Sequence, residues 1–195
     1  MCIRDSTYTV QNLERLGVSA VVIEDKKGLK KNSLFGTDVK QEQDSIENFC
    51  EKIKVGINSK QTDEFMVIAR IESLILGKGI EDALLRGRSY ADSGANGVLI
   101  HSKDKSEELV FQFVDNFKKD FDVPVIVVPT TYNHITLDEF KKLGVDIVIY
   151  ANHLLRSAYP AMLNTAEEIL KFGRTQELEK KLMSVKEVIN FIPSD

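Results

Sequence analysis

Five short apolar runs divide the chain at regular intervals: "SAVVIED" (19–25), "FMVIARIES" (65–73), "NGVLIHSK" (96–103), "VPVIVVPTTY" (123–132) and "VDIVIYANH" (145–153). They are rich in Val and Ile and apolar at consecutive rather than alternate positions, which is how strands covered on both faces of a parallel sheet read. Helical patterns lie between them. "GIEDALLRGRSYADSG" sets Ile80, Ala83, Leu84, Tyr90 and Ala91 on one stripe, and "EELVFQFVDNFKKDF" does the same with Leu109, Phe113 and Phe117. "LDEFKKLG" stops at Gly144, and "HLLRSAYPAMLNTAEEILKFG" carries Leu154, Ala158, Met162, Ala166 and Ile169 before Gly173. Pro160 either kinks that last helix or marks where its regular part starts. Strand and helix alternate five times, which predicts an α/β architecture.

Two closures satisfy this order: a five-stranded doubly wound sheet, and five consecutive units of an eight-unit barrel. Every run ends in polar groups: Glu24 and Asp25, Arg70 and Glu72, His101 and Ser102, Thr130 and Thr131, Asn152 and His153. An open sheet needs such endings only beside its switch point, whereas a barrel gathers all its strand ends around one mouth, so the endings favour the barrel. Doubly wound sheets also keep polar groups at several strand ends, and that alternative stays open on periodicity alone.

A chain of 195 residues, 43% hydrophobic, can bury one sizeable core. Its formal charge of -4, without a dominant basic block, argues against a general nucleic-acid binder. No apolar run approaches the roughly 20 residues that span a bilayer. Cys2 and Cys50 have no metal-ligand spacing, and two cysteines in a domain of this size fit a reducing compartment, the cytoplasm, better than a disulfide scaffold. The opening "MCIRDS" has no signal-peptide pattern and does not continue the amphipathic "YTVQNLERLG"; it reads as a foreign start joined to a chain entered partway through a helix.

The stretch "IEDKKGLKKNSLFG" (23–36) is too irregular for a helix or a strand and directly follows the first run. Lys26, Lys27, Lys30 and Lys31 outnumber Glu24 and Asp25, which favours an anion such as phosphate or carboxylate. Gly28 and Gly36 are placed to act as hinges of a closing lid; the plainer reading is a solvated surface loop. Arg70 interrupts an apolar strand and needs an anionic ligand or a partner such as Glu72. His101 ends its strand in the same way, as a hydrogen-bonded structural residue or as part of a site. His134 and His153 carry weaker signals. Thr130 and Thr131 either donate to an oxyanion or cap the next helix, with capping the default. There is no GxGxxG, phosphate-binding GxxxxGK[ST], GxSxG or HExxH motif.

Taken together, "IEDKKGLKKNS", "ARIESLILGKG", "GVLIHSK", "VVPTTY" and "VIYANHLLRSAYPAM" resemble the phosphoenolpyruvate mutase family of the isocitrate lyase superfamily, in order and at family-like spacing from about Tyr8 onward. The resemblance implies a (β/α)8 barrel, Mg²⁺, and interconversion of phosphoenolpyruvate and phosphonopyruvate. It implies that Asp25 to Ser33, with Lys26, Gly28 and Lys31, forms a gating loop whose Lys30 and Asn32 reach the phosphoryl group. It further implies that Glu24 supports Mg²⁺ through water, and that Arg70, His101, Asn32 and Ser33 bind substrate. The carbon–carbon lyases of the superfamily resemble "KKCGH" where this chain reads "KKNS", so their cysteine would sit at Asn32. The hydrolases of phosphonopyruvate resemble threonine there, and Asn32 therefore points towards the mutases. A non-catalytic α/β module that binds small anions or a partner subunit is the alternative from another class.

The resemblance also implies three further βα units, with the aspartates that hold Mg²⁺, ahead of the place where this chain starts; no Asp-x-Asp strand end precedes Glu24. The expected organisation is a non-native start over 1–6, barrel units four to eight over 7–172, and a C-terminal helical extension over 173–195. A homo-oligomer joined through C-terminal helices is expected of the complete protein, and catalytic silence of this chain by itself.

Overall fold

The structure is a computed structural model that describes residues 3–191. Two compact units divide the chain, Met1–Tyr150 and Ala151–Asp195. In the first, helix α1 (Ile3–Arg15) leads into strand β1 (Ala20–Glu24), followed by a 3-10 helix (Ser33–Asp38) and α2 (Ile46–Asn58). Then come β2 (Met66–Ile71), α3 (Gly79–Asp92), β3 (Gly97–Ile100), α4 (Glu108–Asp120), β4 (Val125–Val127), α5 (Leu137–Leu143) and β5 (Ile147–Val148). The sheet order is β1-β2-β3-β4-β5 and every pair is parallel. Consecutive neighbours in chain order are the wall of a (β/α) barrel; a doubly wound sheet would break the order at its switch point.

The continuous apolar runs are explained by two apolar layers, one on each face. Residues of one parity (Val67, Ala69, Ile71, Val98, Ile100, Val125, Val127) pack against the helices in the main core, with Phe49, Phe113, Phe117 and Tyr90. The other parity (Ile68, Leu99, Ile126, Val128, with Ala20, Met66 and Ile149) forms a smaller cluster on the face that a barrel turns inward. On that inward face Val22 is 41% exposed, and at the β5 edge Ile147 is 39% exposed.

Helix ends follow local rules. Ser45 caps α2 by accepting from the Asn48 N–H, and Thr136 with Glu139 forms a reciprocal capping box on α5. Thr136, not Thr130 or Thr131, is thus the cap of this helix; Thr131 Oγ1 instead donates to the Ser102 carbonyl at 3.3 Å. Gly144 ends α5 at φ 96°, in the left-handed region. The fifth run, expected as a full buried strand, keeps only two paired residues. The stretch 23–36 is less irregular than its composition suggests, since β1 reaches Glu24 and the 3-10 helix starts at Ser33. Met1 and Cys2 of the expected foreign start lie outside the described residues, and α1 begins at Ile3.

In the second unit α6 (His153–Phe172) runs through Pro160 as one helix, ends at Gly173 and is followed by α7 (Val185–Ile189). Much of its apolar stripe is exposed, Leu154 at 85% and Met162 at 60%. Among the described residues, no helix is long and apolar enough to cross a membrane.

Close packing at α3 yields a test. A Cβ on Gly87 would stand 2.9 Å from Phe113 Cζ and 3.4 Å from Ile71 Cδ1, and the Phe113 ring is stacked on Phe117. In an open helix Gly87→Ala would gain about 1 kcal/mol of helix propensity, but overpacking a rigid buried ring costs roughly 1–3 kcal/mol. The urea midpoint should fall, by a net destabilisation of about 1 kcal/mol. An unchanged or raised midpoint would contradict this packing.

Candidate functional site: a buried charge cluster beneath a lysine loop

Parity and register bring three strand-end side chains together. Glu24 pairs with Arg70 across β1 and β2, and His101 lies one residue beyond the Ile71–Ile100 pair. All three follow the inward-facing parity of Val22, Ile68 and Leu99, so they converge at the C-terminal end of that face.

Glu72, with no exposed surface, is the hub. Its Oε1 accepts from Arg70 Nε at 2.6 Å, and its Oε2 accepts from Ser33 Oγ at 2.6 Å and pairs with Lys26 Nζ at 3.1 Å. Arg70 Nη2 and Lys26 Nζ also donate to Ser33 Oγ, at 2.9 and 3.0 Å. Burial opposes ionisation of Glu72, but Arg70, the Ser33 hydroxyl and Lys26 outweigh it and hold its pKa below the ordinary glutamate value. Glu24 Oε2 accepts from Lys30 Nζ at 2.9 Å and lies 3.8 Å from Arg70 Nε and 3.9 Å from Lys26 Nζ. Lys26, Lys30 and Arg70 thus gather around two carboxylates, and one positive charge is left over for a ligand.

His101 is 5% exposed. Burial first, and then the charge of Arg70, lower its pKa from 6.5 to about 4, with Glu72 opposing, so the ring is neutral at pH 7. Its Nδ1 is buried with no hydrogen-bond partner. A buried polar atom without a partner costs stability and is a place where a ligand gains.

The loop residues separate into a fixed root and an exposed arm. Asp25 and Lys26, grouped with the gating loop by sequence, are immobilised: Asp25 has no exposed surface, and Lys26 Nζ donates to Gln41 Oε1 and the Lys31 carbonyl as well as to Ser33. Gly28 (φ 75°), Leu29, Lys30, Lys31 and Asn32 form the exposed arm. Lys31 Nζ donates to the Lys40 carbonyl, and Asn32 caps the 3-10 helix by accepting from the Leu34 N–H. Gly36 falls inside that 3-10 helix, not at a free joint. His134 is exposed and pairs with Glu107; Asn152 and His153 begin α6 in the second unit.

Sequence reasoning missed Gln43, Asp44, Arg86 and Tyr90. Asp25 Oδ2 accepts from Tyr90 OH at 2.7 Å, Gln43 Nε2 at 2.8 Å and Arg86 Nη1 at 3.3 Å, while Oδ1 accepts from the Glu72 N–H at 3.0 Å. Burial nevertheless raises the Asp25 pKa against all four. One signal was available: Asp82, Arg86 and Tyr90 recur at i, i+4 and i+8, which puts an arginine on the stripe of a helix that faces the core.

The family model described as phosphoenolpyruvate phosphomutase matches residues 3–170. The chain belongs to the phosphoenolpyruvate phosphomutase family. It is 38% identical to a phosphoenolpyruvate phosphomutase of Tetrahymena pyriformis, over 95% of this chain and 61% of that protein. It is 39% identical to a phosphonopyruvate hydrolase of Variovorax sp. (strain Pal2), over 93% and 62%. The crystal structure of a phosphoenolpyruvate phosphomutase from Streptomyces platensis subsp. rosaceus superposes with a TM-score of 0.91 at 39% identity, covering 97% of this chain and 64% of that one. The chain therefore spans about three fifths of the length of these curated relatives.

Family resemblance implies Mg²⁺, but the residues at hand do not make its site. Among the described residues no group of three His, Cys, Asp or Glu side chains can hold a metal, and the Glu24 carboxylate is taken up by Lys30.

The depressed pKa of His101 has a measurable sign. Between pH 6.5 and about 4 the unfolded chain binds a proton at this ring that the folded chain does not, so stability falls as pH falls through that window. Replacing the ring by His101→Asn should flatten the loss between pH 7 and 4 by on the order of 3 kcal/mol, read from urea unfolding at each pH. Parallel curves for the two proteins would contradict a neutral buried imidazole.

Proposed function

We propose that these residues form the phosphoryl-transfer half of an enzyme that interconverts phosphoenolpyruvate and phosphonopyruvate. The observation that supports this most is the cluster itself: Arg70 and Lys26 held by Glu72 and Ser33, beside a neutral His101 with an unpartnered Nδ1, under an arm that carries Lys30 and Asn32. Phosphoryl transfer proceeds through a loose state in which the protein supplies positioning and charge rather than covalent bonds. Donors fixed before the substrate arrives need no reorganisation as charge develops on its oxygens.

In this reading Arg70 binds an anionic oxygen of the substrate with the part of its guanidinium that Glu72 and Ser33 leave free. His101, neutral at working pH, holds a substrate oxygen by hydrogen bonding without adding a second cation. Lys30 leaves Glu24 as the arm closes, and with Asn32 it meets the transferred phosphoryl group and excludes water.

A second reading, hydrolysis of phosphonopyruvate, has its own support in the near-equal identity to the Variovorax hydrolase. The two differ in what accepts the phosphoryl group: the substrate's own oxygen, or water. Asn32, where the hydrolases resemble threonine, supports the mutase. We also propose a homo-oligomer for the complete protein, supported by the exposed apolar stripe of α6; a monomer by light scattering of a full-length version would remove that part.

Phosphorus NMR tests the function. The chain by itself, given Mg²⁺ and phosphonopyruvate, is expected to be silent, because its described residues hold no three-ligand metal site. Joined to the part of the Streptomyces platensis phosphomutase that it does not match, it should convert phosphonopyruvate to phosphoenolpyruvate. Arg70→Met in that chimera should cost at least about 100-fold in kcat/KM, the scale for removing a charged donor to a phosphoryl oxygen. Inorganic phosphate and pyruvate in place of phosphoenolpyruvate would decide for the hydrolase, and turnover untouched by Arg70→Met would remove the cluster from the chemistry.

A further inference from the structure

The polar groups behind the sheet form a second network, on the face opposite the charge cluster. Asp25 shares the parity of Ile23, which belongs to the helix-covered core, and its partners come from α3 and from the far end of the loop. Five side chains close a ring. Gln43 Nε2 donates to Asp25 Oδ2 at 2.8 Å and to Ser73 Oγ at 3.0 Å; Ser73 Oγ donates to Asp82 Oδ2 at 2.6 Å; Arg86 Nε donates to the same oxygen at 3.0 Å, and Arg86 Nη1 returns to Asp25.

Both ends of the lysine loop are tied to this ring. At the first, Asp25 supplies the carboxylate. At the second, the Asp44 N–H donates to the Asp25 carbonyl at 2.7 Å, the Lys27 N–H donates to the Glu42 carbonyl at 2.8 Å, and Lys26 and Gln43 form an isolated antiparallel bridge. Arg86 Nη1 bonds the Asp44 carbonyl at 2.9 Å and pairs with Asp25 at 3.3 Å, so one guanidinium nitrogen holds both roots. The Tyr90 hydroxyl sits between them, donating to Asp25 and accepting from Arg86 at 2.9 Å.

We propose that Arg86, with Tyr90, is a positioning residue for the transfer reaction: from outside the strand wall it clamps the two roots of the 26–43 loop, and so sets where Lys30 and Asn32 reach. Both side chains are buried, Arg86 at 5% exposure and Tyr90 at 0%, and neither lies on the face that carries Arg70 and His101. The simplest role for a buried arginine is to neutralise one carboxylate. Arg86 goes further, because besides Asp82 on its own helix it binds the Asp25 carboxylate and the Asp44 carbonyl, at opposite ends of one loop. The clamp also reaches the hub, since Asp25 holds the Glu72 N–H while the Glu72 side chain holds Ser33 within the loop. The loop is thus fixed at its two roots and at Ser33, and its exposed arm, Gly28–Asn32, is short.

The kinetic part of this inference rests on the proposed phosphoryl transfer; the structural part does not. Amide hydrogen exchange of the whole chain tests the structural part. Tyr90→Phe removes one hydroxyl and keeps the ring that lies 4.7 Å from Phe49, and Arg86→Met removes the bridge. In each, amides of residues 26–43 should exchange about tenfold faster, the scale of one hydrogen bond's net worth, while those of β3 and β4 keep their rates. Acceleration spread equally over loop and strands, or none in the loop, would overturn the clamp. Should Arg86→Met fail to fold, Tyr90→Phe decides alone. In the chimera, Tyr90→Phe should lower kcat several-fold and leave KM nearly unchanged, because substrate is anchored on the strands and the loop acts in the transfer. Faster loop exchange with an unchanged kcat would overturn the positioning role while leaving the proposed function intact. A chimera that turns over nothing even before substitution would fail the proposed function, and the exchange result would still decide the clamp.

Discussion

Two carboxylates without exposed surface, Asp25 and Glu72, govern the functional end of the sheet. A buried charge must be paired and hydrogen-bonded, or it unfolds its surroundings or takes up a proton. Glu72 meets this demand with Arg70, Ser33 and Lys26, while Tyr90, Gln43, Arg86 and the Glu72 N–H around Asp25 oppose, without outweighing, the burial that raises its pKa. The loop that leaves β1 must therefore return to the sheet end to deliver Ser33, Gln43 and Asp44. Its course is dictated by charge compensation, since few apolar contacts are offered by residues such as Leu29, which is 90% exposed.

That same demand places the cations. Arg70 and Lys26 are held at fixed positions because Glu72 requires them, and they add to burial, the main cause, in depressing the pKa of His101. Preorganisation of this kind suits chemistry in which charge moves across phosphoryl and carbonyl oxygens while the protein makes no covalent bond. The relation to phosphoenolpyruvate phosphomutases gives the fold its family, and the proposed role of the cluster in phosphoryl transfer rests on this fixed arrangement.

Much of the fold was legible because sheet strands covered on both faces cannot hide their composition. The five runs, α3, α4, α5 and the stop at Gly173 follow from periodicity and glycine, and the polar strand endings pointed to the barrel. The shortness of β5 was not legible, because its run is as apolar as the others although only Ile147 and Val148 pair, with β4. Thr130 and Thr131 sit where a cap was expected, but Thr136 had the Glu139 partner that makes a capping box. At the site, Arg70 beside Glu72 was readable from one segment, since a charged pair two residues apart on a strand shares a face. The fixed state of Asp25 and Lys26 was not, because it depends on Gln41, Gln43, Arg86 and Tyr90, which are distant in sequence and brought near only by packing. Composition shows four lysines in a loop; it does not show that one of them is buried against Glu72.

The central claim is that Arg70, Lys26 and a neutral His101 form an anion cradle before any substrate arrives. Nitrogen-15 NMR of the His101 imidazole, followed from pH 3 to 8 with and without phosphonopyruvate, tests it most directly. The account predicts a free-state titration near pH 4 and a saturable shift of the ring nitrogens on adding phosphonopyruvate, lost in Arg70→Met. A ring that titrates near 6.5 and ignores the ligand would contradict it.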